Sequence, residues 1–296
     1  MNSVADKMYG SSPVFSRALN AARMVAGTDV TVLITGEPGT GKEMMAYQVH
    51  ASSRRAGGSF NSISCSGLSE QELERELLAS SDGASVYLNE VADLGLEAQA
   101  KLLHFLEAVE MRRAGYPDVR LLASSSRDLN ALQREGLFRE DLFYRLHVVP
   151  VSLPPLRERK DDIILLLKQF TADLARRHGR KAPRYSVTAR NLIKQYRWPG
   201  NVRELRNFCE RMVILMAGSI VQPSDMPPEI RQQSAVAARQ SLFVLPEGGL
   251  DLAALEGDMI RQAICMSGGN RSKAARLLGL TRDTLLYRIQ KHAIEV

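Results

Sequence analysis

At 296 residues, 45% of them hydrophobic and 24% charged, the chain has the balance of a soluble globular protein and enough length for two domains with cores of their own. A formal net charge of +6 and a pI near 9.3 permit an acidic partner without naming one. No apolar run reaches the ~18–20 residues of a membrane span. The start carries no secretory apolar core, and Cys65, Cys209 and Cys265 have no metal-ligand spacing. A membrane protein, a disulfide scaffold and a cysteine metal site are excluded, and a reduced, cytoplasmic setting is expected.

Met1 to Lys7 reads as a short polar tail. Ser12-Pro13 opens an amphipathic helix with Val14, Leu19, Ala22 and Val25 as its inner face. The stretch ahead of residue 30 is too short for a separate sensory domain. Thr31 to Thr35 is a β-branched, apolar run that suits a buried strand. It leads straight into Gly36-Glu37-Pro38-Gly39-Thr40-Gly41-Lys42-Glu43, and Met44 to His50 continues as a helix. Strand, glycine loop with lysine, then helix is the arrangement that binds nucleotide phosphates. The glycines let backbone N–H groups surround the oxygens, the helix start adds positive potential, and Lys42 brings a full charge. Glu43 stands where the general pattern has a Ser or Thr for Mg²⁺.

Ser59 to Ser64 reads as a second strand, and Ser69 with Glu72 forms a capping box for a helix ending at Leu78. Ser85 to Leu88 is a third strand, ending at Asn89-Glu90. Leu96 to Val109 is amphipathic, with Ala100, Leu103, Leu106 and Val109 on one side. Val119 to Ala123 and Val148 to Val151 complete a parallel sheet with helices on both faces. Helices from Ile163 to Arg177, from Val187 to Tyr196 and from Val202 to about Ala217, the last capped by Asn201, make a helical lid. A Pro-bearing, polar linker follows. The predicted division is an α/β nucleotide-binding part at 1–155, the lid at 156–221, the linker at 222–249 and a helical module at 250–296.

In that module Gly268-Gly269 ends a first helix, Asn270 caps a second, and Thr281 caps a third after the turn at Gly279. Helix, glycine-bearing turn, helix is the helix-turn-helix pattern. Leu285 and Ile289 face inward by spacing. The candidate DNA contacts are Arg271, Lys273, Thr281, Arg282, Thr284, Tyr287, Arg288 and Lys291, opposed in this stretch by Asp283 alone.

These motifs together resemble the bacterial enhancer-binding proteins, the AAA+ activators of sigma-54 RNA polymerase, with a Fis-type DNA-binding domain behind. The likeness runs from about Tyr9 to Ile294. GEPGTGKE is similar to the family's Walker A loop, and FREDLFYRLHV (Phe138 to Val148) to its arginine-finger segment. PPLRER (Pro154 to Arg159) resembles the signature after it, and WPGNVREL (Trp198 to Leu205) the sensor II motif. The resemblance implies ATP or ADP at the loop, with Lys42 on the β/γ-phosphates and Arg203 sensing the nucleotide from the lid. It implies that Arg139 and Arg145 reach the next subunit's nucleotide in a ring, commonly a hexamer. Partners implied are double-stranded DNA at a two-fold operator, a second copy as dimer or ring, and another enhancer-binding protein or RNA polymerase.

The chain also departs from the family. The Walker B aspartate is Asn89, which weakens any Mg²⁺ site, while Glu90 remains to activate water. Two family asparagines align with Ser64 and Ser126. The GAFTGA loop that touches sigma-54 is missing between Leu78 and Ala79. Two readings follow. One is a DNA-binding regulator that binds nucleotide but turns it over poorly, as a repressor, a modulator or a sigma-54-independent regulator. The other is an active ATPase that remodels polymerase or another partner through a different surface.

Overall fold

The computed structural model describes residues 8–231, 249–292 and 294, and the chain forms two compact units, 1–234 and 235–296. The predicted tail at Met1–Lys7 and most of the predicted linker (232–248) lie outside the described residues.

In the first unit five parallel strands, β1 (Val32–Thr35), β2 (Phe60–Ser64), β3 (Ser85–Asn89), β4 (Arg120–Ser125) and β5 (Val149–Ser152), stand in the order β2-β3-β4-β1-β5. Each predicted strand is present, shifted by a residue or two. Side chains alternate across a strand, so Leu33, Leu121 and Ala123 enter one core while Val32, Ile34 and Leu122 enter the other. α1 (Pro13–Ala26) and α2 (Lys42–Ala51) cover the second face. The first is covered by α3 (Glu70–Leu78), α4 (Leu96–Glu110), α5 (Leu129–Arg134) and α6 (Glu140–Leu146). The capping box of α3 forms as predicted: Glu72 N–H donates to Ser69 Oγ, and Ser69 N–H donates back to the Glu72 carboxylate.

Two predicted helix faces are corrected. In α1 the buried residues are Phe15, Ala18, Ala22, Val25 and Ala26, with Val14 and Leu19 only half-buried. In α4 they are Ala98, Gln99, Leu102, Phe105 and Ala108, one position ahead of the predicted stripe, whose Leu103, Leu106 and Val109 pack at the core's margin. Both helices are apolar around more than half their girth. Spacing alone therefore leaves the rotation open, and the bulky Phe15 and Phe105 take the deep positions.

The lid consists of α7 (Lys160–Arg177), α8 (Val187–Gln195) and α9 (Asn201–Leu215), with a two-residue parallel pair, β6 (Arg184–Tyr185) and β7 (Ile220–Val221). Its core is built on Trp198, Leu205, Phe208 and Met212. It continues through Met226 and Ile230, beyond the predicted boundary at 221, because these two side chains close the end of that core.

The second unit has α10 (Leu252–Met266), α11 (Arg271–Leu277) and α12 (Arg282–Lys291) around Ile260, Ala263, Ala274, Ala275, Leu285 and Ile289. The caps fall where expected: Lys273 N–H donates to Asn270, and Thr284 N–H to Thr281. Gly268 and Gly269 have left-handed φ of 61° and 81°, which stops α10.

Candidate functional site

β1 delivers the glycine loop to the ends of the parallel strands, and α2 begins at Lys42. Gly36 has φ 152°, and a Cβ there would meet the Leu153 carbonyl at 2.8 Å. Gly39 has φ 79°, and a Cβ would meet the Gly200 carbonyl at 2.3 Å, so glycine is what lets the lid backbone close over the loop. Val202 and Arg203 N–H groups donate to the Gly39 carbonyl at 3.0 and 3.3 Å.

The predicted cap at Asn201 is corrected. α9 has Gly200 at its cap position, and the Asn201 side chain turns to the phosphate loop. Its amide donates to Glu37 (3.1 Å) and the Pro38 carbonyl (3.0 Å), and its Oδ1 accepts from Leu156 N–H (2.7 Å). Asn201 is fully buried with φ 53°, a conformation asparagine tolerates better than most residues. Arg157 grips Glu37 with two bonds of 2.6 and 2.8 Å. The Arg157 guanidinium and the Asn201 amide together hold the Glu37 carboxyl well below its usual range, at about 2. Thr40 Oγ1 donates to the Glu37 carbonyl at 2.8 Å.

Deeper in the lid, Arg159 lies over the Phe15 ring, 4.8 Å from its centroid, and donates to the Thr40 carbonyl at 3.3 Å. Burial pulls its pKa down to about 10. Buried Asp162 accepts from Ser11 N–H, Ser12 N–H and the Ser12 hydroxyl, pinning the start of α1 to α7. Arg157, Arg159, Asp162 and the loop-binding role of Asn201 escaped sequence reasoning. The PPLRER and WPGN strings contain three of the four, and were the available signal.

Buried Lys42 spends its ammonium on the Gly36 carbonyl (2.9 Å), the Glu37 carbonyl (3.4 Å) and Glu90 Oε1 (2.9 Å). Glu90 sits past the end of β3 with left-handed φ 58° and ψ 59°, a strained conformation of the kind that clusters at functional sites. Its Oε2 accepts from the Ser126 N–H (2.7 Å) and the Ser126 hydroxyl (2.8 Å). Burial raises the Glu90 pKa, but Lys42 and the two Ser126 bonds outweigh it and hold the carboxyl below its ordinary value. Ser126 is thus brought to Glu90. Ser64, at the end of β2, pairs in register with Asn89.

Asn89 Oδ1 lies 3.2 Å from the Tyr87 hydroxyl and 3.3 Å from the Ser124 hydroxyl, which are themselves 2.7 Å apart. Glu43 is exposed on the first turn of α2 and accepts from Ser62 at 3.1 Å. Among the described residues no cluster of three or more His, Cys, Asp or Glu side chains could hold a metal ion.

The two candidate fingers open and close α6. Arg139 N–H donates to buried Gln99 at 2.9 Å, and its guanidinium pairs with Asp141 at 2.7 and 3.0 Å. Arg145 pairs with Glu110 and stands 3.8 Å from Glu107. Arg203 is exposed, and its guanidinium has no hydrogen bond or ion pair with the other described residues.

In the second unit Arg271, Lys273, Thr281, Arg282 and Tyr287 are exposed, and Thr284 is half-buried with its hydroxyl 2.7 Å from that of Thr281. Arg288 is tied to Glu256 of α10, which also bonds His292 (2.9 Å) and stands 3.8 Å from Lys291. Hydrogen bonding from His292, then the nearby cations, keeps the Glu256 carboxyl below its ordinary value.

A parallel sheet with a glycine–lysine loop at its strand ends, a helical lid closing on that loop and a helix-turn-helix unit define an AAA+-type regulator. Residues 8–152 match the sigma-54 interaction domain, 157–242 the AAA+ ATPase lid domain and 251–292 the bacterial regulatory protein, Fis family domain. The regulatory protein AtoC of Escherichia coli K12 is 36% identical over 310 aligned residues, covering 96% of this chain and 67% of its own length. The crystal structure of NtrX from Brucella abortus in complex with ADP superposes with a TM-score of 0.70 at 31% identity, over 98% of this chain and 69% of that one. The same protein in complex with ATP gives 0.70 at 31%, over 97% and 69%. The chain belongs to the sigma-54-dependent transcriptional regulator family. Among the described residues no helix is long and apolar enough to cross a membrane.

Proposed function

We propose that this protein is a DNA-binding transcription regulator that holds ATP or ADP at the phosphate loop and hydrolyses it weakly or not at all. It acts as a repressor, a modulator of another activator or a sigma-54-independent regulator. One observation carries the reading: α3 ends at Leu78, and the chain turns through 79–84 into β3 at Ser85 with no projecting segment where the family's sigma-54 contact loop belongs. Nucleotide binding is supported by the loop geometry around Lys42 and by the ADP and ATP complexes of NtrX. DNA binding is supported by the exposed cations Arg271, Lys273 and Arg282 on a capped helix pair. The expected target is a two-fold operator bound by a dimer, and Arg139 and Arg145 would face a neighbour's nucleotide if copies assemble as a ring.

Phosphoryl transfer asks mainly for charge stabilisation and positioning. Asn89 removes one negative charge from the place where the metal would be held. Steady-state turnover is therefore expected below ~1 s⁻¹, the low end of typical enzymes. In transcription reactions with sigma-54 polymerase, ATP and an upstream operator, this protein alone is expected to form no open complexes. Open complexes formed by it alone would overturn the reading.

The second reading, an ATPase acting through another surface, draws on Lys42, Glu90, Arg139, Arg145 and Arg203 all being present. Mg²⁺-dependent turnover at or above ~1 s⁻¹ would select it.

A further inference from the structure

We infer that the phosphate site takes a nucleoside di- or triphosphate without its magnesium ion, and that Asn89 serves it as a hydrogen-bond donor. This deepens the nucleotide reading above and rests on it.

A bound Mg²⁺ keeps several waters, and those waters need acceptor oxygens on the protein. The acceptor oxygens beside this loop already take hydrogen bonds within the protein. Glu90 Oε1 is held by Lys42, and Oε2 takes two bonds from Ser126. Counting protons assigns a donor to the Asn89 Oδ1. The Tyr87 and Ser124 hydroxyls have one hydrogen each, and their 2.7 Å contact uses one of them. The other is directed at Asn89 Oδ1, which lies within 3.3 Å of both. Ser124 Oγ meanwhile accepts from Glu90 N–H at 3.3 Å. The Asn89 amide Nδ2 makes no hydrogen bond among the described residues and is the donor left for a ligand. Glu43 accepts a hydrogen bond from Ser62 of β2, an edge strand of the sheet.

The rest of the site is also donor-rich: loop N–H groups, the exposed Arg203, and Lys42, which would give up a present partner to reach a phosphate. Such a set complements bare phosphate oxygens. It complements the water shell of a cation poorly, because Glu90, the carboxylate beside Lys42, already takes two hydrogen bonds from Ser126. The residues present therefore do not fit the metal that the family's pattern implies.

Calorimetric titration of the full chain with ATP and ADP, in EDTA and in excess Mg²⁺, tests this. The expected ATP affinity is the same in both buffers within about threefold. Asn89→Asp is expected to weaken ATP binding in EDTA by about tenfold, because a carboxylate replaces a donor to phosphate, and to recover with Mg²⁺. Asn89→Ala keeps the answer readable should the aspartate variant melt early, and is expected to bind about tenfold more weakly in both buffers. Wild-type ATP binding that tightens tenfold or more with Mg²⁺ would overturn the inference, since the amide would then be offering its oxygen. Unchanged affinity in Asn89→Ala would overturn the donor role. If neither nucleotide binds in either buffer, the nucleotide reading itself fails.

Discussion

Around the phosphate loop Lys42 and Glu37 each have an opposite charge as partner, whereas on α11 and α12 most cations stand open. Lys42 is joined to Glu90 and Glu37 to Arg157. Arg203 and Glu43 have no ion pair there among the described residues. On α11 and α12, Arg271, Lys273 and Arg282 are exposed without an ion pair among the described residues, and the exceptions are Arg288 and Lys291, held by Glu256. The difference separates two kinds of anion site. Under the proposed reading a phosphate entering the first would displace a partner of Lys42, on a loop that Arg157 and Asn201 tie to the lid. A polyanion meeting the second displaces only counterions and side-chain entropy, so its affinity follows salt.

The comparison breaks most readily at Asn201. Asn201→Ala leaves the Leu156 N–H buried without an acceptor and the Pro38 carbonyl without that donor, at about 1–3 kcal/mol for each. It also puts alanine at left-handed φ, for a further ~1–2 kcal/mol. The expected loss of lid stability lies at the low end of that sum, about 3–5 kcal/mol, with Asn201→Gly recovering about 1 kcal/mol by relieving the backbone alone. Urea unfolding followed by the fluorescence of the single tryptophan, Trp198 in the lid core, reads it directly. A loss under about 1 kcal/mol would mean the lid is held by apolar packing and the loop is not coupled to it.

The second region is sharpened by contrasting two arginines of α12. Arg282→Ala is expected to cost about 1–3 kcal/mol of operator discrimination and nothing in stability. Arg288→Ala should lower the thermal stability of the helical unit, because it strips one partner from Glu256. Arg271→Ala or Lys273→Ala should weaken binding to all sequences and reduce the salt slope by about one. Fluorescence anisotropy on operator and scrambled DNA across a salt series separates the three behaviours. Equal loss of discrimination from Arg282→Ala and Arg288→Ala would place Arg288 at the DNA despite its pairing.

What could be read from the chain was local. The strand-loop-helix unit, the Ser69–Glu72 box and the Asn270 and Thr281 caps depend on neighbours within a few residues, and all are present. The rotations of α1 and α4 were missed because an apolar arc wider than half a helix does not say which part lies deepest. Asn201 was read as a cap because asparagine there usually is one. Its true partners, Glu37 and Pro38, precede it by more than 160 residues, and no local pattern reports such a bond. The same limit hid Ser126. Sequence comparison marks it as a departure, but only the fold places its backbone and hydroxyl together on Glu90.

The smallest effect tests the loop-lid pairing through its charge. Glu37 has a folded pKa of about 2 against an ordinary value of 4.5, first because of Arg157 and then Asn201. A depressed carboxylate contributes stability that is fully present above the unfolded pKa and is lost as pH falls toward the folded one. The window is therefore between about pH 4.5 and about pH 2, and neutral pH is unaffected. The difference in melting temperature between wild type and Glu37→Gln isolates this group from every other carboxylate. It should be constant above about pH 5 and shrink below about pH 4.5. Its size should stay within roughly 2–4 °C, because the Glu37–Arg157 pair is more than a third exposed and solvent screens it. Arg157→Gln should reduce the same pH dependence, leaving the smaller part that the Asn201 amide contributes. If the wild-type difference persists unchanged at pH values where Glu37 is protonated, Glu37 contributes through the shape of the loop and not through its charge.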